Sequence, residues 1–269
     1  MTTDNTKVVK AMERIEALFH DTDGKCYVSF SGGKDSTVIL ALIKMCEDIY
    51  TLPPNAMPAV FCNTGIELGA TVEFAQWVKE NYYSNVQVIR PDPKKPFEKY
   101  NKENDIEGFI TGLRSDEGGA RQLQADGHIK NGGSLCTTMR GGLINKLPII
   151  DWTDSDIEDF INEHNVPLSK AYTEQGYERT GCFLCPYSLQ LRDNLVKLHK
   201  YEPLRYKAAM HWLKDVYIAQ GVILPFDAEY EAERLKKWNN SYSMMRYEML
   251  CKYRPLSAKK YENEQQSLF

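Results

Sequence analysis

The chain has 269 residues, 42% of them hydrophobic and 26% charged, which is ordinary globular usage and excludes a peptide hormone, a disordered chain and a collagen-like repeat. Lys and Arg number 33 against 37 Asp and Glu, a net charge of −4, so any affinity for nucleic acid rests on a local patch. The opening MTTDNTKVVKAMERIEALF is charged where a signal peptide needs an apolar core, and no run approaches the roughly 20 apolar residues of a membrane span, so a cytoplasmic protein with no membrane partner is expected.

Met12 to Phe19 reads as a short amphipathic helix, and Cys26 to Ser31 as a β-prone run ending at glycines. Ser36 is placed to cap a helix over Thr37 to Tyr50, whose apolar residues Val38, Leu40, Ala41, Leu42, Ile43 and Met45 leave little of its surface polar. After Pro53-Pro54 the alternation resumes, with strand Ala59 to Cys62, helix Ala70 to Tyr82 and strand Val86 to Ile89. A helix over Pro96 to Asn104, strands at Gly108 to Gly112 and Leu147 to Trp152, and a helix through Glu163 capped by Thr153 follow. Such alternation predicts an α/β fold, a doubly wound and mostly parallel sheet covered on both faces. Residues 125–142, with Gly127, Gly132, Gly133, Gly141 and Gly142, read as a lid or site loop. From Tyr187 the pattern turns helical and aromatic, which divides the chain into an α/β domain over 1–186 and a helical C-terminal extension over 187–269.

Ser31-Gly32-Gly33-Lys34-Asp35-Ser36 lies between the first strand and its helix. Two glycines let successive N–H groups converge, the helix adds its partly positive N-terminus, and Lys34 and Ser36 complete a cradle suited to phosphate or pyrophosphate. The adjacent glycines match neither the Walker loop nor the G-x-G-x-x-G of dinucleotide sites, and a plain tight turn is the alternative. Arg114 follows a strand, at the end where open parallel sheets bind ligands, and its guanidinium suits phosphate or sulfate oxygens. Surface salt bridges from Arg114 and Arg121 to Asp116 and Glu117 are the competing explanation.

The seven cysteines, an odd number, argue for metal ligands, reactive thiols or core residues rather than a disulfide framework. Gly181-Cys182-Phe183-Leu184-Cys185-Pro186 puts two sulfurs on one side of a turn, as one metal or cluster requires; a thioredoxin-like redox pair is the rival. Cys136 is the natural third ligand and Cys251 a candidate fourth, equally placed to be core, while Cys26, Cys46 and Cys62 read as buried structural residues. Zinc suits such a set as well as an iron-sulfur cluster does. His128 shares the Cys136 loop, whereas His20, His164, His199 and His211 read as structural or solvent-facing. Lys236, Lys237, Arg246, Lys252 and Arg254 among C-terminal aromatics could face a nucleic-acid acceptor, form a solvated rim over a helical core, or pack a homodimer.

SGGKDS resembles the PP-loop of the adenine-nucleotide alpha hydrolases, the superfamily containing ATP pyrophosphatases and phosphoadenylyl-sulfate (PAPS) reductases. Asn63-Thr64-Gly65-Ile66-Glu67 is similar to the segment whose backbone binds adenine, and Gly112 to Glu117 with Arg121 to the motif whose arginines face the distal phosphate or sulfate. Leu147 to Trp152 and Tyr172 to Gly176-Tyr177 resemble the PAPS reductase branch, and the likeness runs over about residues 25–188. It implies that Ser29, Ser31, Gly32, Gly33, Lys34, Asp35, Ser36, Asn63, Thr64 and Gly65 bind ATP or PAPS. It also implies that Lys34, Asp35, Arg114 and Arg121 act on the anion, with Asp35 positioning Mg²⁺ in a pyrophosphatase. The G-C-x-x-C-P element resembles the iron-sulfur subset, implying a 4Fe-4S cluster on Cys136, Cys182, Cys185 and Cys251. The adjacent Cys-Cys pair and the Glu-Cys-Gly-x-His segment of assimilatory reductases do not occur in these residues. The resemblance therefore implies PAPS reductase-like sulfur chemistry, with an ATP-dependent thiolation of nucleic acid or a non-catalytic nucleotide sensor as alternatives.

Overall fold

In the computed structural model, which describes residues 5–90, 97–117, 136–181, 183–186, 188, 190–219, 222 and 224–226, the chain falls into two compact units that part between Gly181 and Cys182. The first unit opens with helix α1 (Asn5–Asp21), longer than expected because Val8, Ala11, Met12, Ile15 and Leu18 carry its buried stripe across the whole helix. Strand β1 (Cys26–Phe30), helix α2 (Lys34–Asp48), strand β2 (Ala59–Cys62), helix α3 (Gly69–Asn81) and strand β3 (Val86–Ile89) follow. Helix α4 (Glu98–Glu103), strand β4 (Gly108–Ile110), and strands β5 (Thr137–Arg140) and β6 (Leu143–Lys146) complete the sheet.

The six strands lie in the order β3-β2-β1-β4-β6-β5, all parallel except β5, which runs against β6. Val28 pairs with Ala59 on one side and Ile110 on the other, so β1 is central. The chain steps outward from β1 to β3, then crosses back to lay β4 on the far side of β1. That reversal makes the C-terminal ends of β1 and β4 the switch point where open α/β sheets hold ligands.

Both faces of the sheet are covered, as a parallel sheet requires. Val28, Phe30, Ala59 and Phe61 point into a core with α1, α2 and α3, while Tyr27, Val60 and Phe109 meet Tyr100 and Ile106 on the opposite face. On that second face Tyr27 stacks on Phe97 and Phe109 and meets Tyr100 edge-on. Helix α2 buries Val38, Ile39, Leu40, Leu42, Ile43 and Cys46, and truncating such a residue to Ala costs about 2–5 kcal/mol.

Two expectations fail in the same stretch. Residues 147–152 are not a strand: Ile150 N–H donates to Leu147 C=O at 3.4 Å and Trp152 N–H to Ile149 C=O at 3.1 Å, so the segment buries Leu147, Ile149 and Trp152 by turning. A short apolar run signals burial without fixing extension, and β6 already occupies the place beside β4. The end of the glycine-rich segment is likewise no open loop. Gly141 (φ 60°) and Gly142 (φ 82°) form the two-residue turn of the β5–β6 hairpin, the mirror-image geometry that glycine accommodates. Residues 125–135 lie outside the described residues.

Helix α5 (Asp154–His164) starts in a capping box in which Thr153 Oγ accepts from Asp156 N–H at 3.2 Å and Thr153 N–H donates to Asp156 at 2.7 Å. Short helix α6 (Lys170–Thr173) follows Ser169, whose hydroxyl donates to Ala70 C=O at 3.0 Å and so ties the helix to α3. In the second unit, helices α7 (Leu191–Tyr201) and α8 (Pro203–Ala219) are separated at Glu202, with Pro203 at a first helical position that tolerates it. The helices expected after residue 226 lie outside the described residues. Among the described residues no helix is long and apolar enough to cross a membrane.

Candidate nucleotide-binding site

The loop Ser31 to Ser36 sits at the switch point. Gly32 takes φ 71°, and a Cβ there would lie 2.7 Å from Thr71 Cγ2, so both backbone and packing demand glycine. Gly33, not Ser36, is the N-cap of α2, and it offers no side chain to the first-turn amides. Ser36 instead lies inside the first turn. Its hydroxyl donates to Gly33 C=O at 2.9 Å, accepts from Ser31 N–H at 3.3 Å and lies 3.1 Å from Ser31 Oγ, which fixes the curl of the loop. Ser29 lies inside β1 in register with Val60. From α6, the Tyr172 hydroxyl accepts from Lys34 N–H at 3.3 Å and lies 3.3 Å from Thr180 Oγ1.

The salt-bridge expectation for Arg114 holds in part, since its guanidinium faces Asp116, but the pairing is not one between surface groups. Arg114 is 2% exposed, not a surface residue. Its Nε donates to Asp35 Oδ1 at 2.8 Å, Nη2 to Asp154 Oδ1 at 2.6 Å and Nη1 to Trp152 C=O at 3.4 Å, with Asp116 at 4.0 Å. The guanidinium thus ties α2, the segment after β4 and the start of α5 together, and Asp35 Oδ1 faces it. Lys34 Nζ reaches the same Asp154 Oδ1 at 3.3 Å. Partial burial opposes ionisation of Asp154, but the hydrogen bond and charge of Arg114, and then Lys34, hold its carboxyl below the usual carboxylate range. Arg121 lies outside the described residues.

The Asn63 to Glu67 loop leaves the C-terminal end of β2 at the same edge of the sheet. Gly65 N–H donates to Asn63 Oδ1 and to Glu67 Oε2, both at 3.0 Å, and the Thr64 hydroxyl donates to Glu67 Oε1 at 2.6 Å, so the loop is shaped by its own side chains.

Because β5 is antiparallel, its first end lies at the C-terminal edge of the other strands, and that places Cys136 on the edge that carries the glycine loop. It stands three strands from β1, about 15 Å at ordinary strand spacing. Its carbonyl accepts from Leu147 N–H at 2.9 Å. Beside the thiol is Arg14 of α1, which donates to both Asp151 oxygens, at 2.7 and 2.9 Å, and to Pro148 C=O at 2.7 Å. The Asp151 hydrogen bond raises the Arg14 pKa most, burial opposes it, and the charges of Asp151 and Cys136 add to the rise. Burial pushes the Cys26 thiol up to about 11 and that of Cys46 up to about 12, consistent with core residues.

In the second unit, Cys185 is half-buried on a turn whose Phe183 C=O accepts from Asn194 Nδ2 at 3.1 Å and whose Leu184 C=O accepts from the Tyr217 hydroxyl at 2.9 Å. Burial, then the Cys185 charge, raises the Tyr217 pKa. Cys182, Cys251 and His128 lie outside the described residues. Arg14, Asp151, Asp154, Asn194 and Tyr217 were not singled out as site residues from the sequence. Only Asp154 carried a signal there, as an acidic residue beside a helix cap.

A central β1 flanked by β2 and β4, with a glycine loop at its switch point, defines a nucleotide-binding α/β fold, and the comparisons with known proteins agree. The profile of the phosphoadenosine phosphosulfate reductase domain matches residues 25–188, and the chain belongs to that family. Phosphoadenosine 5'-phosphosulfate reductase of Vibrio campbellii is 25% identical over 191 residues, covering 64% of this chain and 71% of its own. An uncharacterised protein of Methanocaldococcus jannaschii is 29% identical over 230 residues, covering 72% of this chain, which spans only 44% of that protein's length. Yeast FAD synthetase, solved in complex with FAD, shares the fold at a TM-score of 0.50 and 16% identity, over 76% of this chain and 77% of its own.

Proposed function

We propose that the chain is a PAPS reductase-like enzyme that binds an adenine nucleotide through Ser31 to Ser36 and carries out sulfur chemistry beside a cysteine-held 4Fe-4S cluster. The observation that carries the nucleotide half is the glycine curl at the switch point, with Gly32 at φ 71° and first-turn amides that Gly33 cannot cap. Membership of the reductase family supports the sulfur half.

The residues that would hold the cluster are Cys136, Cys182, Cys185 and Cys251. Their described members fit, each within its own unit: Cys136 is a half-buried thiol beside Arg14, Cys185 is half-buried on a clamped turn, and both are soft sulfur donors of the kind that iron-sulfur clusters take. When bound, such a cluster supplies iron that carries electrons or a sulfur atom.

Calorimetry with ATP and with PAPS tests the first half. Binding of either that is lost in Gly32→Ala is the expected result, and PAPS against ATP separates a reductase from a thiolating ATP pyrophosphatase. Binding of neither sinks the reading. Protein purified without oxygen is expected to be brown, to contain iron rather than zinc, and to lose its colour in Cys182→Ala. Tight nucleotide binding by a colourless protein with no turnover points instead to a sensor.

A further inference from the structure

We propose that Asp154 is a counter-anion built into the glycine loop: it holds the Lys34 ammonium until a ligand's phosphate oxygen takes its place, and so sets how strongly an anion must bid for that lysine. The inference rests on the loop being an anion site, as proposed above, and it assigns Asp154 a positioning role that acts through Lys34.

One oxygen carries the argument. Asp154 Oδ1 accepts from Arg114 Nη2 at 2.6 Å and from Lys34 Nζ at 3.3 Å. The Arg114 bond is short, charge-assisted and made by a guanidinium whose side chain is 3% exposed, whereas Lys34 reaches over on a flexible four-carbon stem with three rotatable donors. Of the two, Lys34 is therefore the partner that can depart. Its departure leaves no orphaned charge: Asp154 keeps Arg114, and its carboxylate, 66% exposed, keeps water.

The other acidic groups of the cluster do not serve Lys34 in the same way. Asp35 Oδ1 is taken by Arg114 Nε at 2.8 Å, and Asp116 Oδ2 accepts from Asp154 N–H at 3.2 Å. Lys34 itself is the loop's own cation, one residue past the glycines and at the head of α2. A phosphate oxygen held by those amides would compete with a carboxylate for one ammonium. A multiply charged group such as pyrophosphate wins that competition more readily than a singly charged anion, which makes Asp154 a discriminator by charge.

The test is titration of pyrophosphate by calorimetry into the full chain, its Asp154→Asn, Asp154→Ser and Lys34→Gln variants, and the Asp154→Asn/Lys34→Gln double variant, with each variant's fold checked by its melting curve. Asp154→Asn keeps an acceptor for Arg114 and removes only the charge, so it is expected to bind pyrophosphate about two- to fivefold more tightly, the scale of an exposed ion pair. The gain is expected to vanish in the Lys34→Gln background. A residue that merely supported the loop would weaken binding when changed, so unchanged or weaker binding in a folded Asp154→Asn or Asp154→Ser variant overturns the proposal while leaving the anion site intact. No pyrophosphate binding by the unaltered chain instead overturns the underlying site. A crystal structure with pyrophosphate in the loop and Lys34 still on Asp154 also overturns the proposal and needs no variant.

Discussion

Two corners of one sheet edge are held in different ways. At the glycine-loop corner, one buried guanidinium gathers Asp35, Asp154 and, more loosely, Asp116, and the loop's curl is fixed by hydrogen bonds among neighbours in sequence. At the Cys136 corner, a two-stranded hairpin carries the cysteine, and the half-buried Arg14 pins the adjoining turn through Asp151. The first corner is rigid because its guanidinium is buried and bonded at once to Asp35, Asp154 and the Trp152 carbonyl. The second keeps a more exposed guanidinium and, among the described residues, an edge strand with one neighbour, a place where a thiol stays reachable.

The largest effect separating the corners is expected from Gly32→Ala. A left-handed residue with a Cβ against buried Thr71 should cost about 2–4 kcal/mol, read from urea unfolding. Adding Thr71→Ser removes the clashing methyl and should return about 1 kcal/mol while leaving the backbone strain. No loss in Gly32→Ala would show that the loop relaxes freely and is not the rigid corner.

Next, Arg114→Met leaves Asp35 without the guanidinium and Asp154 with Lys34 alone, and should cost about 2–3 kcal/mol, against about 1 kcal/mol for Arg14→Met, whose guanidinium is the more exposed. Equal losses would erase the distinction. At the hairpin, Gly142→Ala forces φ 82° on a residue with a Cβ and should cost about 1 kcal/mol without altering nucleotide affinity. A matching loss of affinity there would show the corners to be coupled.

The smallest effect is in acid. Asp151, Asp154 and Asp156 all have folded pKa values below their unfolded ones: burial opposes this in each, and the partners Arg14, Arg114 and Lys7 respectively overcome it. Their stabilisation is therefore complete above the unfolded carboxylate value near 4 and declines as pH falls through the lowered ones. Urea midpoints from pH 6 to 3 should fall, and Asp151→Asn should flatten the fall more than Asp154→Asn, whose exposed carboxylate is better screened by water. A fall that neither substitution changes would exclude both pairs as its source.

The strands Ala59–Cys62 and Val86–Ile89, helix α2 and the cap at Thr153 were legible along the chain, because each rests on local periodicity, glycine conformation or a side chain three residues away. The hairpin was legible in principle, since two glycines between short runs signal a mirror-image turn, yet the many glycines before it suggested an open loop. Which way residues 147–152 would run was not legible, because an apolar string is buried equally well extended or turned.

By itself the sequence determined the alternating elements, the glycine loop and the chemistry of its six residues, since neighbouring residues dictate backbone curl and helix polarity whatever lies beyond them. Tertiary structure alone decided that Arg114 serves carboxylates from α2 and α5, that Arg14 meets Asp151 and Cys136, and that Asn194 and Tyr217 clamp the cysteine turn. An ionic or hydrogen-bonding side chain announces its charge in the sequence, but its partner is chosen by the packing that brings distant segments together.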